Sequence, residues 1–403
     1  MDTDDFIKAI REDKKVKGLL YAGAERGFYI SFNGGSQWNK FQLNLPVVPV
    51  TDLIIRDNDL VASTAGRAFW ILDDLGAIQQ SNGDFGNNAM KLYQPKPTYR
   101  LSGPPAFLAA MGIEIPGIGQ NPSEGVMLHY YLKEKADTTK GSLEILDANG
   151  NIIRKFTNKK DESFKPYPGG PPAPITIPAE AGVNRFAWDF RGEALKDVAG
   201  VYVYGDYRGH RVGPGKYRAR IKFKGETSET EFEILADPKL TASASDWAEQ
   251  QKLMNQAEDG INDMHNSVNN LRKVKKQIEG YGDLLKTDPN AKDLLNNGKD
   301  IVKKIESWES NIVEPRSKNF QDVINFPNKL NSEYMFIRGS LESHDPRVTQ
   351  GVRERLGDIQ QQWSKLKDSL QKINQDIGRY NQMFKDKNYP AVITEKKEQV
   401  ISN

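Results

Sequence analysis

The chain has 403 residues, too many for one ordinary core and enough for two or three. Its 56 Lys and Arg against 54 Asp and Glu leave a formal net charge of +2, so no global field draws it onto a polyanion, and nucleic acid is set aside as a partner. Cysteine is absent, which excludes disulfides, thiol nucleophiles and thiolate zinc sites without fixing the compartment.

The amino-terminal stretch MDTDDFIKAIREDKK is acidic, then basic, and lacks an apolar core, so it does not read as an export signal. If the mature protein is exported, the signal lies upstream or Met1 is an artificial start. No run approaches the ~18 apolar residues of a membrane-spanning helix.

Residues 17–80 read as short strands with tight turns. The runs Leu19 to Gly23, Gly27 to Phe32, Asp52 to Asp57, Leu60 to Thr64 and Ala68 to Asp74 are β-branched or aromatic. Between them stand Glu25-Arg26-Gly27, Asn33-Gly34-Gly35, Asn58-Asp59 and Gly66-Arg67, a punctuation that predicts an up-and-down sheet. Ser31-Phe-Asn33-Gly-Gly35-Ser-Gln-Trp38 fits the Asp-box pattern Ser-x-Asp-x-Gly-x-Thr-Trp, with Asn33 in place of the acid and Gln37 in place of the threonine. An asparagine folds back on a hairpin turn as an aspartate does, so Ser31, Asn33, Gly35 and Trp38 are expected to pin a turn.

The stretch GLLYAGAERGFYISFNGGSQW and the following LNLPVVPVTDLIIRDNDLVASTAGRAFWILDD resemble the last propeller blades of bacterial sortilin-like (VPS10-type) proteins, often labelled BNR-repeat glycosyl hydrolases. The resemblance covers residues 5 to 80 and, more loosely, the rest of the chain. It departs at Ala65, where the family commonly has histidine before Gly-Arg, and at Asn33. It implies an extracytoplasmic β-propeller protein, periplasmic, secreted or at the cell surface. A ring needs at least four blades of about 40 residues, and residues 1–80 supply one or two. The rest is expected from upstream sequence or a second chain, because an unpaired blade edge is an aggregation liability.

Residues 81–125 are rich in Gly, Pro and Asn and read as a connector strapped over its neighbours, with Pro95, Pro97, Pro104 and Pro105 extending it. From 126 to 237 a β-sandwich is expected: VMLHYYL alternates, LEILDANGNIIRKF turns at Asn149-Gly150, and VNRFAWDF and KYRARIKF follow. The order of these strands resembles the immunoglobulin-like domain of the flagellar hook-capping type. Trp188 is expected in its core. The insertion Gly192 to Gly213 is dense in Tyr and Arg and suits a contact surface, or packing against the propeller.

Within residues 238–403, assigned to a helical domain, residues 243–386 change period from two to three and a half. Leu356, Ile359, Trp363, Leu366, Leu370, Ile373, Ile377, Tyr380 and Phe384 alternate by three and four, as do Met254 to Leu271 and Leu294 to Ile312. Leu330, Tyr334, Ile337 and Leu341 give a shorter helix after Pro327. Ser243 or Ser245 caps the first helix, and Pro315 and Pro390 stop the second and the last. An antiparallel bundle of three or four helices is expected. The fold class is thus multidomain β plus α: a partial β-propeller of one to two blades, an Ig-like β-sandwich and a helical bundle.

Catalytic chemistry is scarce. His129, His210, His265 and His344 stand on a strand, a loop, a helix and a turn, unpaired at metal-ligand spacing, with His265 expected at a solvated or flanking position. No nucleophile elbow, phosphate loop or dinucleotide fingerprint occurs. Asp57-Asn58-Asp59 and Asp147-Ala-Asn149-Gly150 fit hairpin turns better than calcium loops, so neither metal nor cofactor is expected. A sialidase-like site, implied by the family's label, would draw on Tyr21, Glu25, Arg26, Arg67 and Asp73.

The favoured expectation is a non-catalytic binding or scaffold module that completes or follows a sortilin-like propeller and contacts protein, peptide or glycan. Its candidate contact residues are Glu25, Arg26, Arg67 and Trp70 near blade loops, and Tyr204, Tyr207 and Arg208 in the sandwich insertion. The alternatives are an accessory part of a propeller glycoside hydrolase whose site lies in upstream blades, and a structural subunit of a cell-envelope assembly.

Overall fold

The computed structural model describes residues 5–84, 88–101, 122–136 and 140–389. The chain is a multidomain protein with several β-sheets and a carboxy-terminal helical bundle. It divides into two compact units. The first comprises Met1–Lys160, Ile175–Phe190 and Pro214–Asp237, and the second Asp161–Pro174, Arg191–Gly213 and Pro238–Asn403.

The first unit opens with a four-stranded antiparallel meander of β1 (Ile7–Glu12), β2 (Leu20–Ala24), β3 (Phe28–Ser31) and β4 (Asn39–Lys40), followed by a three-stranded one of β5 (Val50–Arg56), β6 (Asp59–Thr64) and β7 (Phe69–Leu72). Period-two alternation turns one face of each sheet toward the other. Leu19, Tyr21, Phe28 and Ile30 of the first sheet thereby share a core with Leu53, Ile55, Leu60 and Ala62 of the second. At about 1.5–3 kcal/mol per fully buried large apolar side chain, this shared core holds the two sheets together. The sheets approach closely at Gly23, where a Cβ would sit 2.5 Å from Val50 Cγ1.

After β7 the chain does not turn into a fourth strand. Asp74 takes a positive φ of 57°, Leu75 N–H donates to Asn58 O at 2.8 Å, and α1 (Gly76–Ser81) follows. The stretch expected as a connector then supplies β8 (Met90–Leu92) and β9 (Thr98–Arg100) to the next two sheets. This corrects the strap reading: three-residue strands are too short to show a period. Residues 102–121 of the same stretch, with Pro104 and Pro105, lie outside the described residues.

A third sheet has the order β13-β10-β8 and a fourth the order β12-β11-β14-β15-β9. They use β10 (Val126–Leu132), β11 (Ser142–Leu146), β12 (Ile152–Thr157), β13 (Gly182–Trp188), β14 (Gly215–Phe223) and β15 (Glu226–Ala236). All pairings are antiparallel except β9 with β15. The two sheets meet through aromatic rings. Trp188 packs edge-on to Tyr217 and Phe232 at 6.2 and 6.0 Å, and Phe156 on Phe186 at 4.7 Å. At the β11–β12 turn Asp147 accepts from the backbone of Asn149 and Asn151, which makes it a hairpin.

The second unit is built on α2 (Ala244–Leu285), α3 (Lys292–Glu309), α4 (Leu330–Leu341) and α5 (Gln350–Asp386). Ser243 caps α2 in a reciprocal capping box with Asp246. One core joins Met254, Ile261 and Val268 of α2, Ile301, Ile305 and Trp308 of α3, Tyr334 and Ile337 of α4, and Leu356, Trp363 and Ile377 of α5. Trp308 lies 6.2 Å from Trp363 and donates its indole N–H to Leu366 O at 2.8 Å. Leu195, Val198, Val201, Val203 and Tyr207 belong to this same core, although in sequence they fall between β13 and β14, so these residues of the insertion pack on the helices and not, as expected, against the propeller strands. Pro390 lies outside the described residues.

Candidate interaction site

The outer face of the β5–β7 sheet carries a group of exposed apolar side chains. Strand register sets Ile54 opposite Val61, Val61 opposite Ile71, and Ser63 opposite Phe69. Ile54, Phe69 and Ile71 are 57, 75 and 59% exposed. On the inner face the alternate residues Leu53, Ile55, Leu60 and Ala62 are buried. The outer face thus mixes these apolar side chains with Asp52, Arg56 and Ser63, and among the described residues it is the inner face that packs against another sheet.

The predicted blade-loop contact residues gather at one end of this pair of sheets. Because Gly23 abuts Val50, the β2–β3 turn and the β6–β7 turn emerge at the same end. Glu25 and Arg26 stand on the first turn, where Lys8 Nζ lies 2.7 Å from Glu25 Oε2 and Arg26 N–H donates to Asp5 Oδ1 at 2.8 Å. Arg67 stands on the second turn, exposed, and its carbonyl accepts the indole N–H of half-buried Trp70 at 3.0 Å. Tyr21 and Asp73 are not brought to this end. Tyr21 is fully buried and donates to Asp13 Oδ2 at 3.1 Å, its phenol pushed well above the usual range by burial and by that carboxylate. Asp73 follows the far end of β7. The five residues of the sialidase-like expectation therefore do not converge.

At the opposite end, the Asp-box bonds are present. Ser31 Oγ accepts from Gly35 N–H at 3.0 Å, and Asn33 Oδ1 accepts from Gln37 N–H at 2.8 Å and from the Ser31 hydroxyl at 3.0 Å. Gly35 takes a φ of 88°, open to glycine at little cost. Trp38 packs against Ala22, Ala24 and Tyr29. Near this end lies a cleft of about 450 Å³ that the sequence did not signal, with Lys15, Lys96 and Lys216 facing Asp74, Glu231 and Glu233.

In the second unit, Tyr204 is 66% exposed, whereas Tyr207 is buried at 2% and packs 6.2 Å from the ring of His265. Tyr207 is therefore a core residue and not a contact residue: irregular backbone carries it onto the helices, and no period announces that. Arg208 closes on Asp206 at 2.7 Å. His265 is also corrected, being fully buried and within 2.6 Å of Lys196 O through Nδ1, with its pKa lowered by burial. His210 sits between Glu258 Oε2 at 2.9 Å and Gln251 Oε1 at 3.1 Å. Buried Arg338 reaches Glu258 Oε1 at 2.7 Å, Asp206 O at 3.1 Å and Arg208 O. Burial raises the Glu258 pKa, but His210 and Arg338 outweigh it and hold the carboxyl below its usual range. Among the described residues no group of three or more His, Asp or Glu is placed to hold a metal ion, and no helix is long and apolar enough to cross a membrane.

No family model matches the chain, and no curated protein matches it. Among solved structures it is similar, at 12% identity and a TM-score of 0.16, to a protein described as the extracellular domain of a hybrid two component system from B. thetaiotaomicron. That match covers 58% of this chain, and the chain spans 25% of the other's length. A likeness of that size carries no argument about fold or function.

Proposed function

We propose that residues 5–80 are two blades of a sortilin-like β-propeller, and that the chain is a non-catalytic binding or scaffold module which completes or follows that ring. The observation that carries this reading is the exposed apolar group of Ile54, Phe69 and Ile71 on a sheet whose other face is already packed against a neighbouring meander. A blade inside a ring is sandwiched in that way, and exposed apolar area of this kind marks an interface. The packing of β5 on β1 and β2 suits strands that converge on a ring axis. The third and fourth sheets are read as an Ig-like sandwich built around Trp188.

The remaining blades come from upstream sequence or a second chain, and the whole is extracytoplasmic. Hydroxyl-radical footprinting of the protein isolated from its native source tests this. Protection of Phe69 and Ile71 relative to the purified chain is the expected result. A native form that is monomeric, no longer than this chain and equally oxidised at both residues overturns it. Turnover of aryl glycosides or sialosides by the complete ring, abolished by changing a blade acid, would replace binding with hydrolysis.

A further inference from the structure

Among the described residues the second sheet has one strand fewer than the first. The β3 edge is occupied by β4, with Tyr29 opposite Lys40 and Ile30 opposite Asn39, and Phe41 N–H continues the pairing to Phe28 O at 2.7 Å. The corresponding edge of β7 is paired with no strand among the described residues. Its unpaired groups can be assigned. Thr64 N–H donates to Ala68 O at 3.1 Å, which makes these two a hydrogen-bonded pair, and such pairs recur every second residue in an antiparallel ladder. Trp70 and Leu72, opposite Ala62 and Leu60, therefore turn their backbone groups toward β6. Phe69 and Ile71 turn their N–H and C=O groups outward.

A groove runs beside this edge, between the two sheets. Phe28, Phe41 and Leu45 line one wall, and Leu60, Trp70 and Leu72 the other. No charged side chain lines it. Its volume of about 60 Å³ is far below the roughly 300–1,000 Å³ of small-molecule sites and suits a single aliphatic side chain. It is continuous with the core that already joins the two sheets, since Phe28 and Leu60 belong to both.

We propose that the β7 edge takes up an extended, uncharged peptide segment as a fourth strand. Its backbone pairs with Phe69 and Ile71, one aliphatic side chain enters the groove, and its alternate side chains extend the Phe69–Ile71 face. Outward N–H and C=O groups beside an apolar slot are the two halves of strand-addition recognition: main-chain bonds for affinity, a pocket for specificity. The proposal concerns the edge of the sheet rather than its face, and rests on the hydrogen-bond pattern and the groove, independent of the ring reading.

The probe is an end-blocked, uncharged hexapeptide of alternating isoleucine and threonine, followed by fluorescence anisotropy and by hydrogen exchange at Phe69 and Ile71. Saturable binding with slowed exchange at these two amides is expected. Binding should fall at least about tenfold when the peptide is N-methylated at alternate residues, which removes the donors that face β7. Ile71→Pro removes an N–H that faces outward, where an edge strand tolerates proline, and should do the same while circular dichroism stays unchanged. Ile71→Thr, which keeps that N–H, should bind more tightly than Ile71→Pro. No binding, or equal binding of the N-methylated peptide, overturns the proposal whatever the proline variant does. Ile54→Lys, two strands from the edge, separates the two readings: it should block any partner on the sheet face and leave peptide binding intact.

Discussion

Arg338→Ala tests how the second unit is held together. The guanidinium is 2% exposed and satisfies Glu258 Oε1 together with the carbonyls of Asp206 and Arg208. Truncation leaves Glu258 with the His210 backbone and ring nitrogens, each at 2.9 Å, but strips two carbonyls of a charged donor. An orphaned buried acceptor costs about 1–3 kcal/mol, and breaking a buried ion pair about 3–5 kcal/mol. Allowing for the partners Glu258 retains, the expected loss is about 3–5 kcal/mol, a large part of a typical domain stability of 5–15 kcal/mol. Urea denaturation measures it, and native-state hydrogen exchange should show residues 206–211 opening before the helices. A loss under about 1 kcal/mol with unchanged exchange at 206–211 would refute the argument that this arginine pins the excursion.

Gly23→Ala should destabilise the first unit, because its Cβ would meet Val50 Cγ1 and Cβ, and Val50→Gly, which removes both atoms, should cost less in the Gly23→Ala background than in the parent; a double-mutant cycle on thermal unfolding checks the coupling. Asn33→Ala removes the acceptor for Gln37 N–H and should cost about 1 kcal/mol, whereas Asn33→Asp should be neutral or better, as read from denaturation midpoints. The pKa values of His129 and His265 are both depressed, with burial the largest cause. The unfolded chain therefore takes up protons that the folded chain refuses. Stability should be complete above the ordinary histidine value of about 6.5 and fall as pH drops below it. Melting temperatures between pH 8 and 5 should show the decline, and His265→Gln should flatten it.

The helices were legible because a bundle imposes its period on sequence. Trp363, Ile377 and Phe384 recur at alternating three and four, and all are buried in the common core. The alternating runs that become β10 and β14 were legible for the same reason. What escaped is where burial has no period. In β1, IKAIRE, only Ala9 is buried, and in β15, ETSETEFEILA, only Phe232 and Ile234 are, so charge conceals both strands. Val198, Val201 and Val203 enter the helical core from irregular backbone, which no spacing foretells. The candidate site was half visible. The strands were marked out, but the exposure of Phe69 and Ile71 depends on what lies beside β7, which their own sequence does not encode.

The helical unit borrows two stretches, Asp161–Pro174 and Arg191–Gly213, from ahead of its own helices. During synthesis these stretches leave the ribosome before α2 exists, so Val198, Val201 and Tyr207 must wait, wetted, for a surface made later. A fragment beginning at Pro238 would carry the complementary defect, since Asn262, Asn269 and Arg272 on α2 would lack the backbone of Lys196, Asp197 and Ala199 that they bind. Neither piece is a sound object for separate expression. Any dissection of this protein has to cut around a shared seam instead of between consecutive stretches of chain.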